Sequence, residues 1–347
     1  MYSRGHRVTV TPAMMHEQRE MKHIAESRVE KTGRARTFAT AGGFGAILLW
    51  STTIAVARSL SEQLGPMTAA AAVYSVAGTV SLARFVGCDA NRRQIRQLPR
   101  KYLIGCGTLF VAYMLFLYLA IGLATDRQQV LEIGLLNYLW PALTLLLSVA
   151  LLRKAATLLL FPGTVLALLG VILVLTHGAD VSWRSFVHNV ETNPAAYSLG
   201  LAAAVAWALY SVLARKWAGG STTGGVEIFL SVTAVVLLLI CLGVHEPRAW
   251  SVRSIAEAVF LGIATYAAYG LWDAAMRTGN LVLVAAGSYM TPLLSTIASC
   301  LYLAIVPGPS LWLGCGMLVA GSLLSWHSVS DGVSIRLAQQ AVPRDGL

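Results

Sequence analysis

Two apolar runs in this chain are interrupted by the same kind of phrase. The first is Asn137-Tyr138-Leu139-Trp140-Pro141 and the second is Ser288-Tyr289-Met290-Thr291-Pro292. Each proline sits near the middle of a stretch that otherwise reads as a membrane-spanning helix. A proline inside a helix removes one backbone hydrogen bond and strips the carbonyl four residues earlier of its donor. Those carbonyls belong to Asn137 and Ser288. Hydrocarbon does not tolerate a free carbonyl, so such breaks lie against protein or a wet cavity. Paired interruptions at matching places in two halves point to the binding site of a transporter.

Composition agrees with a membrane chain. Of 347 residues, 56% are hydrophobic and 12% charged, about half the charge of a soluble domain. Apolar residues gather into ten blocks near 38–60, 66–87, 101–124, 129–152, 156–176, 195–217, 225–244, 254–276, 280–304 and 309–328. Each is close to the ~20 residues a helix needs to cross a bilayer. The net charge of +10 could indicate nucleic acid, but its layout argues otherwise. With both termini cytoplasmic, 21 Lys and Arg fall on inner segments and five on outer ones: Arg58, Arg127, Arg184, Arg248 and Arg253. That asymmetry follows the positive-inside rule and supports an even number of spans. Residues 1–36 are polar, with no apolar core of the kind a signal peptide has. Met14, Met15 and Met21 offer later starts within them. The five cysteines lie in or beside apolar runs without metal spacing and read as packing residues.

The repeat extends beyond the prolines. Trp50 and Arg58 recur as Trp207 and Arg215, both at an offset of 157, while Tyr118, Tyr138 and Pro141 recur as Tyr269, Tyr289 and Pro292 at 151. Five spans per unit is an odd number, so the second unit enters the bilayer upside down. Trp50, Trp207, Pro141 and Pro292 each fall about 12 residues into their spans, ~18 Å into a core of ~30 Å. The expected fold is therefore all-α: an integral membrane protein of ten transmembrane helices, built as two inverted five-helix repeats around a central cavity. Its parts are a polar cytoplasmic extension (1–36), a first repeat (37–176), a periplasmic loop (177–194), a second repeat (195–328) and a cytoplasmic tail (329–347). Gly163, Ala167 and Gly170, with Gly314, Gly316 and Gly321, supply small faces for close helix approach in scaffold or dimer.

These features resemble the drug/metabolite transporter superfamily. The most specific stretch is Ala275-Met276-Arg277-Thr278-Gly279-Asn280 followed by Ser288-Tyr289-Met290-Thr291-Pro292, similar to the superfamily's repeated domain. Within it, the Asn137 phrase and the long 177–194 segment are most similar to the aromatic amino acid exporters of the bacterial inner membrane, the YddG type. The resemblance covers about residues 38–328. It implies ten helices in a basket, alternating access, and export of amino acids such as Phe, Trp and Tyr. The first half departs from the pattern, since no Gly-Asn follows Thr125-Asp126-Arg127.

Candidate substrate-binding residues are the mid-span aromatics Trp50, Tyr113, Tyr138, Trp140, Trp207, Tyr210, Tyr266, Tyr269 and Tyr289, with Asn137 and Ser288 at the breaks. Buried Tyr and Trp need partners for their polar atoms, which a cavity or a neighbouring helix can provide. The alternative for these rings is helix–helix packing, and for the breaks a structural kink repaired internally. Pro141, Pro292, Gly134 and Gly287 are the expected hinges. Ion coupling, if present, would use Glu132 or Asp273. Glu132 reads as shallow enough to reach water, and Asp273 stands four residues before Arg277, a spacing that suits an ion pair. Glu227 and Glu257 favour helix N-termini and read as structural.

No metal-spaced cluster, P-loop or nucleophile elbow occurs, so we expect no enzyme, cofactor or metal, and energy from a gradient rather than ATP. A membrane-embedded enzyme would need a polar catalytic cluster. Expected partners are the small substrate, membrane lipid and, through the glycine faces, a homodimer, but not nucleic acid. A drug or other metabolite exporter on the same scaffold is the alternative function.

Overall fold

In the computed structural model, residues 12–176, 182–246, 248–303 and 309–330 are described. Helix α1 (Pro12–Leu64) is followed by α2 (Pro66–Gly87), α3 (Asp89–Arg96), a wide π-type turn (Lys101–Cys106) and α4 (Gly107–Leu123). The first broken helix is α5 (Arg127–Asn137) and α6 (Trp140–Leu152), and α7 (Leu160–Leu175) closes the first half. Then come α8 (Trp183–Thr192), α9 (Pro194–Ala218), α10 (Val226–Leu242) and α11 (Val252–Thr278). The second broken helix is α12 (Leu281–Gly287) and α13 (Met290–Leu303), and α14 (Pro309–Ser328) ends the described helices. Two-residue strands, β1 (Ala155–Ala156) and β2 (Val329–Ser330), pair antiparallel.

Five helical segments are long and apolar enough to cross a membrane: 66–87, 101–123, 127–152, 194–218 and 252–278. A sixth, within α1, bends by 47° between Thr53 and Val56. The hydroxyls of Ser51, Thr52 and Thr53 donate to the carbonyls of Ile47, Leu48 and Leu49 just before the bend. Such back-bonding loosens the helix ladder and favours bending. The remaining expected spans fall on two shorter helices, one divided helix and α14. α7 has 16 residues and α10 has 17, α12 and α13 share another, and α14 has 20.

Helix α1 continues into the expected polar extension and begins at Pro12. The expected 177–194 loop contains α8, whose Ser182 side chain accepts from Ser185 N–H; residues 177–181 lie outside the described part, as do 331–347 of the tail.

The helices pack pairwise: α1 on α11, α2 on α10 and α11, α4 on α9 and α10, α6 on α9, α13 on α1, and α7 on α14. The last pair is the glycine interface. A Cβ on Gly170 would lie 2.7 Å from Leu318 N, one on Gly163 2.8 Å from Ser325 N, and one on Gly321 2.7 Å from Ala167 Cα. Small residues let the two backbones touch. Gly316 has no heavy atom within 4 Å of its added Cβ and is not part of that contact.

At the far end of α1, Gly65 turns the chain with φ of 84°. The Glu246 carboxylate takes the N–H groups of Met67 (2.9 Å) and Thr68 (2.7 Å), two orphan donors opening α2. A side chain at Gly65 would meet that carboxylate's own Cβ at 2.7 Å, so both φ and space demand glycine.

Candidate functional site: an aromatic centre between two buried carboxylates

Four tryptophans converge at the middle of the bundle. Trp50 lies on α1, Trp140 at the start of α6, Trp207 on α9 and Trp272 on α11. Trp272 is 5.2 Å from Trp50, 5.3 Å from Trp140 and 5.9 Å from Trp207, ring centre to ring centre. Tyr269 approaches Trp50 at 5.5 Å and Phe110 at 5.0 Å. Tyr113 and Tyr210 flank Trp207 at 4.7 and 5.0 Å. Helical periodicity explains the convergence, because Phe110 and Tyr113 share a face of α4, Trp207 and Tyr210 one of α9, and Tyr269 and Trp272 one of α11.

The cluster is graded in depth. Trp207, Tyr210, Trp272 and Tyr289 are fully buried, Tyr113, Trp140 and Tyr269 nearly so. Trp50, Tyr118, Tyr138 and Tyr266 are half-buried and form its accessible edge. Sequence reasoning did not place Phe110 and Tyr74. The Tyr74 hydroxyl donates to Tyr269 at 3.1 Å, and only tertiary packing brings them together. The Trp272 indole donates to Ser211 at 3.2 Å.

The two helix breaks differ. In the first, Asn137 ends α5 and Pro141 lies in the first turn of α6, with Tyr138 and Leu139 between. The Asn137 side chain neighbours Tyr113, yet among the described residues its buried Oδ1 has no hydrogen-bond donor. In the second, the expectation of a free Ser288 carbonyl is wrong. That carbonyl accepts from Thr291 N–H at 3.1 Å and Thr291 hydroxyl at 2.8 Å. The Ser288 hydroxyl also turns inward, donating to Ala285 O at 2.6 Å. Thr291, absent from the candidate list, repairs the proline break. Among the described residues, the buried Tyr289 hydroxyl there has no hydrogen-bond partner. This break lies beside Trp50, since the adjacent Ser51 hydroxyl reaches Thr291 O at 3.4 Å.

Of the expected hinges, Pro141 and Pro292 both stand where α-helical pairing restarts. Gly287 packs under the Phe44 ring, which an added Cβ would displace (3.0 Å from Cζ). Gly134 faces open space.

Asp273 and Arg277 form the expected pair, Nε to Oδ2 at 2.7 Å, with side chains 1% and 3% exposed. It is part of a network. Tyr102 and Tyr210 hydroxyls each donate to Asp273 Oδ1 at 2.8 Å, Gly225 N–H donates to Tyr102 at 2.9 Å, and Arg277 Nη1 donates to Ser221 O. Tyr210 touches both this network and Trp207, so the aromatic centre rests directly on the ion pair.

Glu132 departs from expectation. It is fully buried, not water-accessible, because α8 covers it. Tyr197 donates to its Oε2, Asn189 on α8 to Oε2 at 3.1 Å, and Gln128 to Oε1 at 3.0 Å. Asp126, where the first half lacks Gly-Asn, caps α5 by accepting from Gln129 N–H at 2.8 Å; Asn280 caps α12 from Leu283 N–H at 3.1 Å. Different residues thus do the same local work. Glu227 lies 3.4 Å from Arg84, and Glu257 accepts from Ser59, Gln63 and Arg253. Among the described residues, no three His, Cys, Asp or Glu side chains group as metal ligands would.

The family model described as the EamA-like transporter family matches residues 37–176 and again 194–326. The chain belongs to that transporter family. It is a multi-pass membrane protein. It is 36% identical over 289 residues to the aromatic amino acid exporter YddG of Salmonella typhimurium, spanning 83% of this chain and 96% of the relative. YddG of Escherichia coli is 35% identical over 302 residues, 86% and 99% of the two chains. YddG of Ancylobacter novellus is 32% identical, covering 84% and 98%. A crystal structure with 31% identity superposes with a TM-score of 0.69 over 84% of this chain and 97% of its own.

Proposed function

We propose that this protein exports aromatic and other hydrophobic amino acids, binding them against the Trp50–Trp140–Trp207–Trp272 centre. The observation that carries this reading is a ring cluster with buried but unpartnered polar atoms at its edges: Asn137 Oδ1 one turn from Trp140, and the Tyr289 hydroxyl at the break beside Trp50. Rings stack on an aromatic side chain. An acceptor oxygen suits the substrate ammonium, and a hydroxyl suits its carboxylate. A purely apolar drug would leave both atoms unsatisfied, which is costly in a dry site. That favours amino acids over the alternative of apolar drug export. The relatives' names point the same way.

Alternating access follows from the repeat. We read the chain as ten spans in two inverted halves, both termini cytoplasmic, in a bacterial inner membrane. Helix pairing supports this. Exchanging each span for its counterpart five spans on turns the α1–α11 contact into α9–α4, α6–α9 into α13–α1, and α2–α11 into α10–α4. The α2–α10 and α7–α14 pairs map onto themselves. Rocking about such an axis would expose the centre to each side in turn, with the Asp273 network as the inner closure and the α8–Glu132 cluster as the outer one. Glu132 and Asp273 are the candidate residues for ion coupling.

Flux of labelled phenylalanine and tryptophan into proteoliposomes, with and without a protonophore, tests the reading. Saturable flux inhibited by related amino acids supports it. No flux above empty vesicles, with folded protein present, refutes it. Sensitivity to the protonophore separates proton coupling from facilitated diffusion.

A further inference from the structure

A groove of about 370 Å³ runs between α5, α7 and α8, and no ring of the aromatic centre lines it. Its walls are Leu135 and Leu136 of α5 and Leu168 and Ile172 of α7, and its roof is Trp183 and Phe186 of α8. Ile172 and Trp183, 44% and 76% exposed, form its open rim. Helix α5 belongs to a segment long and apolar enough to cross a membrane, and α7 is an apolar helix of 16 residues. In a multi-pass membrane protein the gap between two such helices opens onto lipid.

The polar side chains in the lining are engaged with the protein. Glu132 accepts from Tyr197, Asn189 and Gln128. The Thr176 hydroxyl donates to Ile172 O at 2.6 Å, and Ser182 Oγ accepts from Ser185 N–H at 3.1 Å. A charged ligand would lose its hydration here with little in return, whereas a hydrocarbon chain needs only contact. Helix α8 is fastened over the groove by a different face. Its Ser185 and Asn189, one turn apart, meet Gln128 and Glu132, while Trp183 and Phe186 stack with ring centres 5.6 Å apart. An exposed tryptophan beside the end of a span suits the membrane–water interface. Arg184, next in sequence, is exposed and has no ion-pair partner among the described residues. An apolar groove with a guanidinium at its interfacial end matches a phospholipid, with a chain in the groove and the phosphate at the cation.

We propose that this groove holds one acyl chain of a membrane phospholipid whose headgroup sits at Arg184. Lipid tails are as apolar as the groove walls, so retention comes from close packing and from the headgroup contact rather than from the hydrophobic effect. The single guanidinium then gives an anionic headgroup the advantage over a zwitterionic one. The lipid belongs to the outer leaflet in the orientation proposed above; its binding does not depend on that orientation or on the substrate reading.

The test is native mass spectrometry of the full chain in detergent, titrated with phosphatidylglycerol or with phosphatidylcholine carrying the same chains. The proposal expects a retained lipid that is lost in Ile172→Trp, which fills the groove from its rim. Leu239→Trp, at a position on α10 that is 63% exposed and outside the groove, should keep it. Arg184→Gln should still bind lipid but with its preference for phosphatidylglycerol reduced about fivefold, the effect of one cation near an anionic headgroup. Because Arg184 is exposed, that variant reads the site even if Ile172→Trp fails to fold. No retained lipid, equal retention in Ile172→Trp and Leu239→Trp, or an unchanged headgroup preference in Arg184→Gln overturns the proposal. A lipid-free dimer that Ile172→Trp dissociates would mean that a second copy covers the groove, and overturns it as well.

Discussion

The two buried carboxylates of this protein are satisfied in different ways. Asp273 has a cation, Arg277 at 2.7 Å, together with two tyrosine hydroxyls. Glu132 is equally shut from water, but among the described residues its donors are neutral: a tyrosine hydroxyl and two side-chain amides. A buried ion pair resists loss of either partner, because the survivor is left charged in a low dielectric. A carboxylate held by neutral donors leaves no countercharge stranded when it is replaced. The Asp273 end is therefore held by charge, and the Glu132 end by neutral hydrogen bonds, two of them from α8 and α9.

Breaking the comparison should produce effects in that order. Arg277→Ala should be the most damaging, costing about 3–5 kcal/mol in denaturant or thermal unfolding, since it leaves Asp273 buried without its cation. Replacing both Asp273 and Arg277 with leucine should cost clearly less than the single change. A double-mutant cycle measures that coupling, and additive effects would show that the pair is not a unit. Glu132→Gln should cost about 1–2 kcal/mol, because one acceptor oxygen becomes an amide facing other donors. A loss as large as that of Arg277→Ala would erase the distinction. Smallest should be Arg58→Ala. Its partner Glu62 is 2.9 Å away, but the side chains are 68% and 60% exposed, so a change below about 1 kcal/mol is expected in the same unfolding assay.

Local spacing made one half of this contrast legible. The i,i+4 separation of Asp273 and Arg277 places both on one helical face in any register. Tyr102 and Tyr210, which complete the network, are separated from Asp273 by 171 and 63 residues, and no periodicity announces such a contact. Glu132 was misread for a related reason. Its position one turn inside a span suggested access to water, but α8 folds over it. The signs of α8 were present in Ser182 as a cap and Pro194 opening the next helix, yet ten residues of mixed polarity between two halves read more simply as loop. The proline phrases located the breaks correctly. They did not reveal that Thr291 supplies its own N–H and hydroxyl to the Ser288 carbonyl, while Asn137 Oδ1 has no partner among the described residues. The aromatic centre was legible as a set of mid-span rings. Its depth order was not, because which rings lie beneath others depends on how α4, α9 and α11 pack.

That centre is the core of the account, and Trp140 tests it most directly. Trp140 meets Trp272 and Trp207 edge-on, one turn from Asn137. We would measure saturable tryptophan flux in proteoliposomes for the protein and for Trp140→Ala, with the thermal midpoint of each in parallel. The account predicts at least a tenfold loss of flux at low substrate in a variant that still folds, as expected for loss of about 1.4 kcal/mol or more of ring contact. Unchanged flux in a folded Trp140→Ala protein would contradict it.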